Sequence, residues 1–268
     1  MKSSTRRPRG RDYVGSLAAA GRHLFTSTDA QDALGVSAEA AKLALNRLIH
    51  HGVIASPARG FYIIVPPEYR SLGCLPAEQF IPALMQRLGE PYYAGLLSAA
   101  QYHGAAHHRP QEFQVLLARA RRPIRCGRVR VAFVVRKRLK DVSVQDFNTP
   151  RGAIRVSTPE ATAVDLVGYH RAAGGLDHVA TLLSELAEQL DPQELVAAAQ
   201  TAPRTWAQRL GYLLEHVVDA SEKAIALKEY VIPAARQAVP LLPGASRANA
   251  RRDPAWKVII NTQVEAEL

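Results

Sequence analysis

The sequence predicts an α+β protein: an N-terminal winged helix-turn-helix domain over residues 1–70, followed by a larger mixed α/β domain over 71–268. Three observations predict it. Two helix signals, Thr28–Leu34 and Ser37–His51, lie almost end to end with only Gly35 and Val36 between them. An apolar hairpin pattern follows at once, Val53–Ala55 and Phe61–Val65, around the turn Ser56-Pro57-Ala58-Arg59-Gly60. Beyond Pro66-Pro67, strand-like runs give way to helix-like runs with no repeat period. A Pro pair cannot continue a sheet ladder, so the domain boundary is expected near residue 70.

Residues 1–11 carry Lys2, Arg6, Arg7, Arg9 and Arg11 among Ser, Thr, Pro and Gly. They show no apolar periodicity and are expected to be disordered in isolation. Such a segment is either a basic arm that follows phosphates or enters a minor groove, or a solvated tail. Asp12–Ala20 reads as the first helix, with Tyr13, Val14 and Leu17 inward. In the second helix pair Ser37 is a good N-cap, because its hydroxyl accepts a bond from an unpaired first-turn amide. Gly52 takes the positive φ that ends a helix cheaply. Ala41, Ala44, Leu45 and Leu48 recur at helical spacing and face a core; Lys42, Asn46 and Arg47 then point outward. A helix fits the major groove of B-DNA, and a short preceding helix braces it. Arg59 on the hairpin turn reaches an adjacent phosphate or the minor groove. The competing reading is a helix pair that only packs, or a winged domain used for protein contacts.

In the second domain Leu75–Leu88 is helix-like but interrupted by Pro82, which should kink or split it. Pro91–His103 reads as a cleaner helix, with Pro91 in its first turn and Gly104 as its cap. Strands are expected at Phe113–Ala118, Arg128–Val135, Val142–Phe147 and Ala153–Val156. Ser157-Thr158-Pro159-Glu160 opens a helix, by a Thr158 cap or a Ser157/Glu160 capping box. Asp165 inside it is expected to bond a neighbouring loop. Helices should follow at Leu176–Leu190, from Pro192 to about Gln200, at Pro203–Val218 and at Ser221–Tyr230. A proline-rich loop then leads to a closing strand at Trp256–Thr262.

The charge is lopsided. Formal net charge is +10 and the sequence pI is about 9.9, which favours a polyanionic partner through phosphate contacts. The densest run is Arg119, Arg121, Arg122, Arg125, Arg128, Arg130, Arg136, Lys137, Arg138 and Lys140, with no acid among them. It is read as a second basic patch for DNA or an acidic partner surface, against a solvated sheet face. Cys74 and Cys126 have no ligand-like spacing, so neither zinc nor a disulfide framework is expected. His103, His107 and His108 lack the paired helical spacing with a Glu that a metal would need. No apolar run approaches the roughly 20 residues that span a bilayer, and a cytoplasmic location without membrane contact is expected. No phosphate-cradling GxxxxGK, GxGxxG or GxSxG pattern appears, so no cofactor and no enzymatic activity is expected.

Two motifs carry a family resemblance: Pro91-Tyr-Tyr-Ala-Gly-Leu-Leu-Ser-Ala-Ala-Gln-Tyr-His-Gly104 and Ser157-Thr-Pro-Glu-Ala-Thr-Ala-Val-Asp-Leu166. With the closing Ala255–Asn261 and the winged helix before them, they resemble the AbiEi antitoxins of abortive-infection, type IV toxin–antitoxin systems. The resemblance implies a winged helix that binds inverted operator repeats, two copies on DNA, and represses the operon. It implies a C-terminal domain that counters a nucleotidyltransferase-type toxin. Carried onto this sequence, the DNA-reading positions are Lys42, Asn46 and Arg47, with Arg59 on the wing; Ser37 and the arm residues Arg6, Arg7, Arg9 and Arg11 are further DNA-binding candidates read from the residues themselves, the basic arm being a departure from the family pattern. The family supplies no catalytic residue. The alternatives are a transcription regulator whose C-terminal domain senses a ligand or partner, and an enzyme acting on nucleic acid.

Overall fold

The computed structural model describes residues 9–105 and 110–266. Arg6, Arg7, His107 and His108 lie outside the described residues. The chain divides into two compact units. The first comprises residues up to Glu90 together with 121–132 and 148–154; the second comprises 91–120, 133–147 and the chain from Arg155 onward. The unit that holds the winged fold therefore runs past the boundary expected near residue 70 and takes in two later segments.

The first unit opens with α1 (Gly10–Ala19), β1 (Leu24–Thr26), α2 (Ser27–Leu34), α3 (Ala38–His50), β2 (Ile54–Ala58) and β3 (Phe61–Ile64). The three strands form an antiparallel sheet in the order β1-β3-β2. Pro57 is tolerated because β2 is an edge strand. The core joins Tyr13, Val14 and Leu17 of α1 to Leu34, Leu45, Leu48, Ile54 and Ile64. At its centre Phe25 meets Tyr13 edge-on at 5.6 Å and stacks on Tyr62 at 5.5 Å. After β3 a single helix, α4 (Ile81–Leu88), follows two short 3-10 turns. The Leu75–Leu88 run is split as expected: the 3-10 turn Ala77–Gln79 is separated from α4 at Phe80, and Pro82 sits in the first turn of α4, where its missing N–H has no helical partner anyway.

Arg11, expected in a disordered arm, lies instead in the first turn of α1. Arg9 caps that helix, and its amide donates to the Asp12 carboxylate at 3.2 Å. The 121–132 segment joins this unit through its backbone. The Arg128 amide donates to Leu72 O at 2.7 Å, and a Cβ on Gly127 would fall 2.1 Å from that same oxygen. Cys74 and Cys126 are both buried there; a hydrogen bond with Cys126 and burial push the Cys74 thiol well above its ordinary range.

A six-stranded sheet has the order β6-β7-β5-β4-β9-β8, with β4 (Tyr92–Ala94), β5 (Phe113–Leu117), β6 (Ile124–Cys126), β7 (Val129–Val135), β8 (Val144–Thr149) and β9 (Gly152–Ser157); all of β6, the start of β7 and the 148–154 turn of β8 and β9 are counted with the first unit, the rest with the second. Tyr92–Ala94 pairs antiparallel with β5, and Ala94 pairs parallel with Val156 of β9. This corrects the expected helix over Pro91–His103: only α5 (Leu97–Tyr102) is helical there. The break comes from sheet pairing, which takes up the Tyr92–Ala94 backbone; Gly95 then packs where a Cβ would lie 2.4 Å from Leu116 Cδ1, and Leu96 turns at φ 53° into α5.

Helix α6 (Pro159–Gly168) follows β9 directly and is buried from Glu160 to Val167. A helix apolar on nearly every side belongs in the middle of a core. It packs against α5, α7 (Leu176–Leu186), α8 (Pro192–Gln200) and α9 (Arg204–His216). Helix α10 (Ser221–Val231) and a small sheet complete the unit. That sheet has the order β10 (Val239–Pro240), β12 (Val258–Ile260), β11 (Arg251–Asp253).

At this end Glu215 accepts from Lys228 Nζ at 2.8 Å and from Trp256 Nε1 at 2.7 Å. The Lys228 bond, helped by the indole and opposed by burial, holds the Glu215 carboxyl below the usual glutamate range. A depressed carboxyl contributes stability above its ordinary pKa that is lost as pH falls through the folded value. Glu215→Gln should therefore melt below the parent near neutral pH, with the gap closing as pH drops below about 4.5. Melting curves across that range test this; a gap independent of pH would refute it.

Candidate nucleic-acid interface

The candidate interface is the outer face of α3 with the hairpin turn beside it. Helix α2 is fixed by a reciprocal cap: Thr26 Oγ1 accepts from the Asp29 amide at 3.1 Å, and Asp29 Oδ2 accepts from the Thr26 amide at 2.7 Å. Gly35, at φ 59°, closes it in the left-handed conformation that glycine adopts without strain. Ser37 then caps α3, its hydroxyl accepting from the Ala40 amide at 3.3 Å. Ala41, Leu45 and Leu48 are buried, Ala44 is half-buried, and Lys42, Asn46 and Arg47 are exposed. The structure thus brings the three outward residues together on one helix face, with Ser37 at its N-terminus.

The wing turn is built by short-range bonds. Ser56 Oγ donates to Ala58 O and Phe61 O at 3.0 and 3.1 Å, and β2 carries a register shift between Ala55 and Ala58. Arg59 is exposed at the tip. One supporting residue was not foreseen. Arg87 of α4 donates from Nη1 to Gly60 O, and its guanidinium lies 5.9 Å from the Phe61 ring centroid. It sits 27 residues from its partner, beyond the expected boundary, so no local pattern could reveal it.

The basic run falls in both units. Arg122, Arg125 and Arg128 are exposed, with Arg121 and Arg130 half-buried, in the hairpin segment of the first unit. Arg119, Lys137, Arg138 and Lys140 are exposed in the second unit, where Arg138 pairs with Asp141 at 2.9 Å. Arg136 is a correction: it is 2% exposed and ion-paired with Asp165 at 2.8 Å, so it takes no part in a surface patch. The cause is position: Arg136 follows directly on β7, and the Asp165 carboxylate on the buried α6 offers its guanidinium a charge partner inside the core. Asp165, expected to bond a neighbouring loop, does so at Arg136, in the loop that follows β7, and also accepts from Tyr93 of the sheet.

The histidine cluster resolves in part. His103 is buried, and its Nε2 bonds Ser157 O at 2.8 Å. Among the described residues no group of three or more His, Cys, Asp or Glu side chains could hold a metal ion, and no helix is long and apolar enough to cross a membrane.

Two models of one family match the chain. "Transcriptional regulator, AbiEi antitoxin" matches residues 16–65, which contain α2, α3 and the wing. "AbiEi antitoxin C-terminal domain" matches residues 93–216, which contain the second motif quoted above and the first from Tyr93 onward. The chain belongs to the AbiEi antitoxin family. It carries the domains of an antitoxin and DNA-binding transcriptional regulator, families without enzymatic activity. The fold also matches the crystal structure of the RV2827C protein from Mycobacterium tuberculosis, with a TM-score of 0.68 at 16% identity over 95% of this chain and 92% of that one. No curated protein matches the AbiEi-family chain in sequence.

Proposed function

We propose that this AbiEi-family chain represses its own operon and counters a toxin of the nucleotidyltransferase class. The observation that supports it most directly is the exposed Lys42, Asn46 and Arg47 face of α3, on a helix capped at Ser37 and braced by α2. Two copies set these helices into successive major grooves of an inverted repeat, with half-sites about 34–36 Å apart. Arg59 follows the flanking backbone. Ser37 marks the helix end that points towards phosphate, and Arg9 and Arg11, with Arg6 and Arg7 before them, add backbone contacts. Arg122, Arg125 and Arg128 belong to the winged unit and extend the same phosphate-binding surface. Arg119, Lys137, Arg138 and Lys140 are left to the toxin-facing domain.

Fluorescence anisotropy on the DNA upstream of the gene, against a scrambled duplex at several salt concentrations, tests the DNA half. Lys42→Ala, at the flank of the outer face, should lower the salt slope by about one unit on any sequence. Arg47→Ala should cost about 1–3 kcal/mol and relax specificity. Unchanged affinity in both would remove α3 as the reading helix. For the toxin half, a Lys42→Ala/Arg47→Ala chain co-expressed with the neighbouring nucleotidyltransferase should lose repression and still rescue growth. Loss of both would tie neutralisation to DNA binding.

A further inference from the structure

Leu43 is 59% exposed in the middle of α3. At about 100° per residue, it projects within roughly 20° of directly opposite the buried Ala41–Leu45–Leu48 stripe. Asn46 and Arg47 lie one turn further along on either side of that line, and Lys42 sits at its flank. In the middle of the helix the side chain nearest that line is therefore an apolar one, with His50 on the same line at the C-terminal end. A single exposed leucine is ordinary on a protein surface; one at the crest of a helix set among polar and cationic side chains has a narrower range of partners.

We propose that Leu43 reads the 5-methyl group of a thymine in the operator, and so fixes one base of the recognised sequence. This rests on α3 being the reading helix. Leucine has no donor or acceptor, so against a base edge it offers only apolar contact. The thymine methyl is the one apolar group that the base pairs present in the major groove. The flanking Lys42 and Arg47 favour a polyanion over an apolar protein face. Glu39, one turn earlier on the same ridge, suits a cytosine amino group rather than a phosphate. The expected geometry thus has bases beneath Leu43 and Arg47 and backbone beneath Lys42.

The test uses the full chain and duplexes of its own upstream repeats in which each thymine in turn is replaced by deoxyuridine, which removes only the methyl. At one position per half-site, affinity should fall about fourfold, the effect of one buried methyl. Leu43→Ala should bind the thymine duplex as weakly as the parent binds a duplex replaced at that position in both half-sites, and should show no further loss on that substitution. Leu43→Met, which keeps an apolar reach, should retain the sensitivity. A parent indifferent to every replacement, or a Leu43→Ala chain still sensitive at the same position, overturns the assignment. So does a change of oligomeric state in Leu43→Ala without DNA, which would make the residue a protein contact. A parent that does not distinguish its own repeats from scrambled DNA fails earlier and removes the reading-helix proposal itself.

Discussion

Asp165→Ala is expected to cost about 3–5 kcal/mol of unfolding free energy, because it leaves a buried guanidinium without its partner. Arg136 and Asp165 are 2% and 0% exposed. Arg136 Nε donates to Asp165 Oδ1 at 2.8 Å, and Tyr93 OH donates to Oδ2 at 2.6 Å. The rest of the guanidinium is also used: Nη1 donates to Lys137 O and Thr201 O, and Nη2 to Thr201 Oγ1. The Trp206 ring covers the cation at 5.3 Å. Burial pushes the Asp165 carboxyl upward while Arg136 and Tyr93 pull it back. Burial and the carboxylate push the Tyr93 hydroxyl far above its usual range, so it remains a donor. A buried pair is costly to break and less costly to remove whole. Arg136→Met/Asp165→Leu should accordingly recover much of the loss seen in either single variant. Urea unfolding measures all three; a single-variant loss below about 1 kcal/mol would contradict the argument.

Trp256→Ala should cost a similar amount, about 3–5 kcal/mol, as a large ring is lost from the core. Trp256 is 0% exposed and lies against Gly211 of α9, where a Cβ would fall 2.0 Å from ring atom Cζ3. Glycine there trades helix propensity for ring contact. Gly211→Ala in the parent should thus destabilise by about 1–3 kcal/mol through overpacking. In the Trp256→Ala background the clash is gone, and alanine's better helix propensity, worth up to about 1 kcal/mol, should reverse the sign. Such a reversal is the signature of two residues sharing one space. A Gly211→Ala effect of equal size in both backgrounds would show that the ring is not the cause.

The winged unit was largely legible from the chain because its determinants are local. Ser37 caps the amide three residues on, Gly35 ends α2 one residue after its last turn, and the Ala41, Leu45, Leu48 stripe repeats within two turns. Each acts over a distance that a short window spans. The helices α6 to α10 were legible for the same reason. What only the tertiary structure decided involves partners far apart in sequence. Arg136 reads as one more cation in a basic run until α6 places Asp165 beside it, 29 residues away. Tyr92–Ala94 reads as the start of a helix until β5 and β9 take up its backbone. The three-residue strands Leu24–Thr26 and Ile124–Cys126 have too little pattern to be seen alone, and their ladder bonds come from β3 and β7. The clamp of Arg87 on Gly60 is of the same kind. Local patterning set which segments form helices and hairpins and which face α3 presents outward. Pairing across the fold decided which charges remain on the surface, because a charge is buried only where a distant chain segment brings its counter-charge.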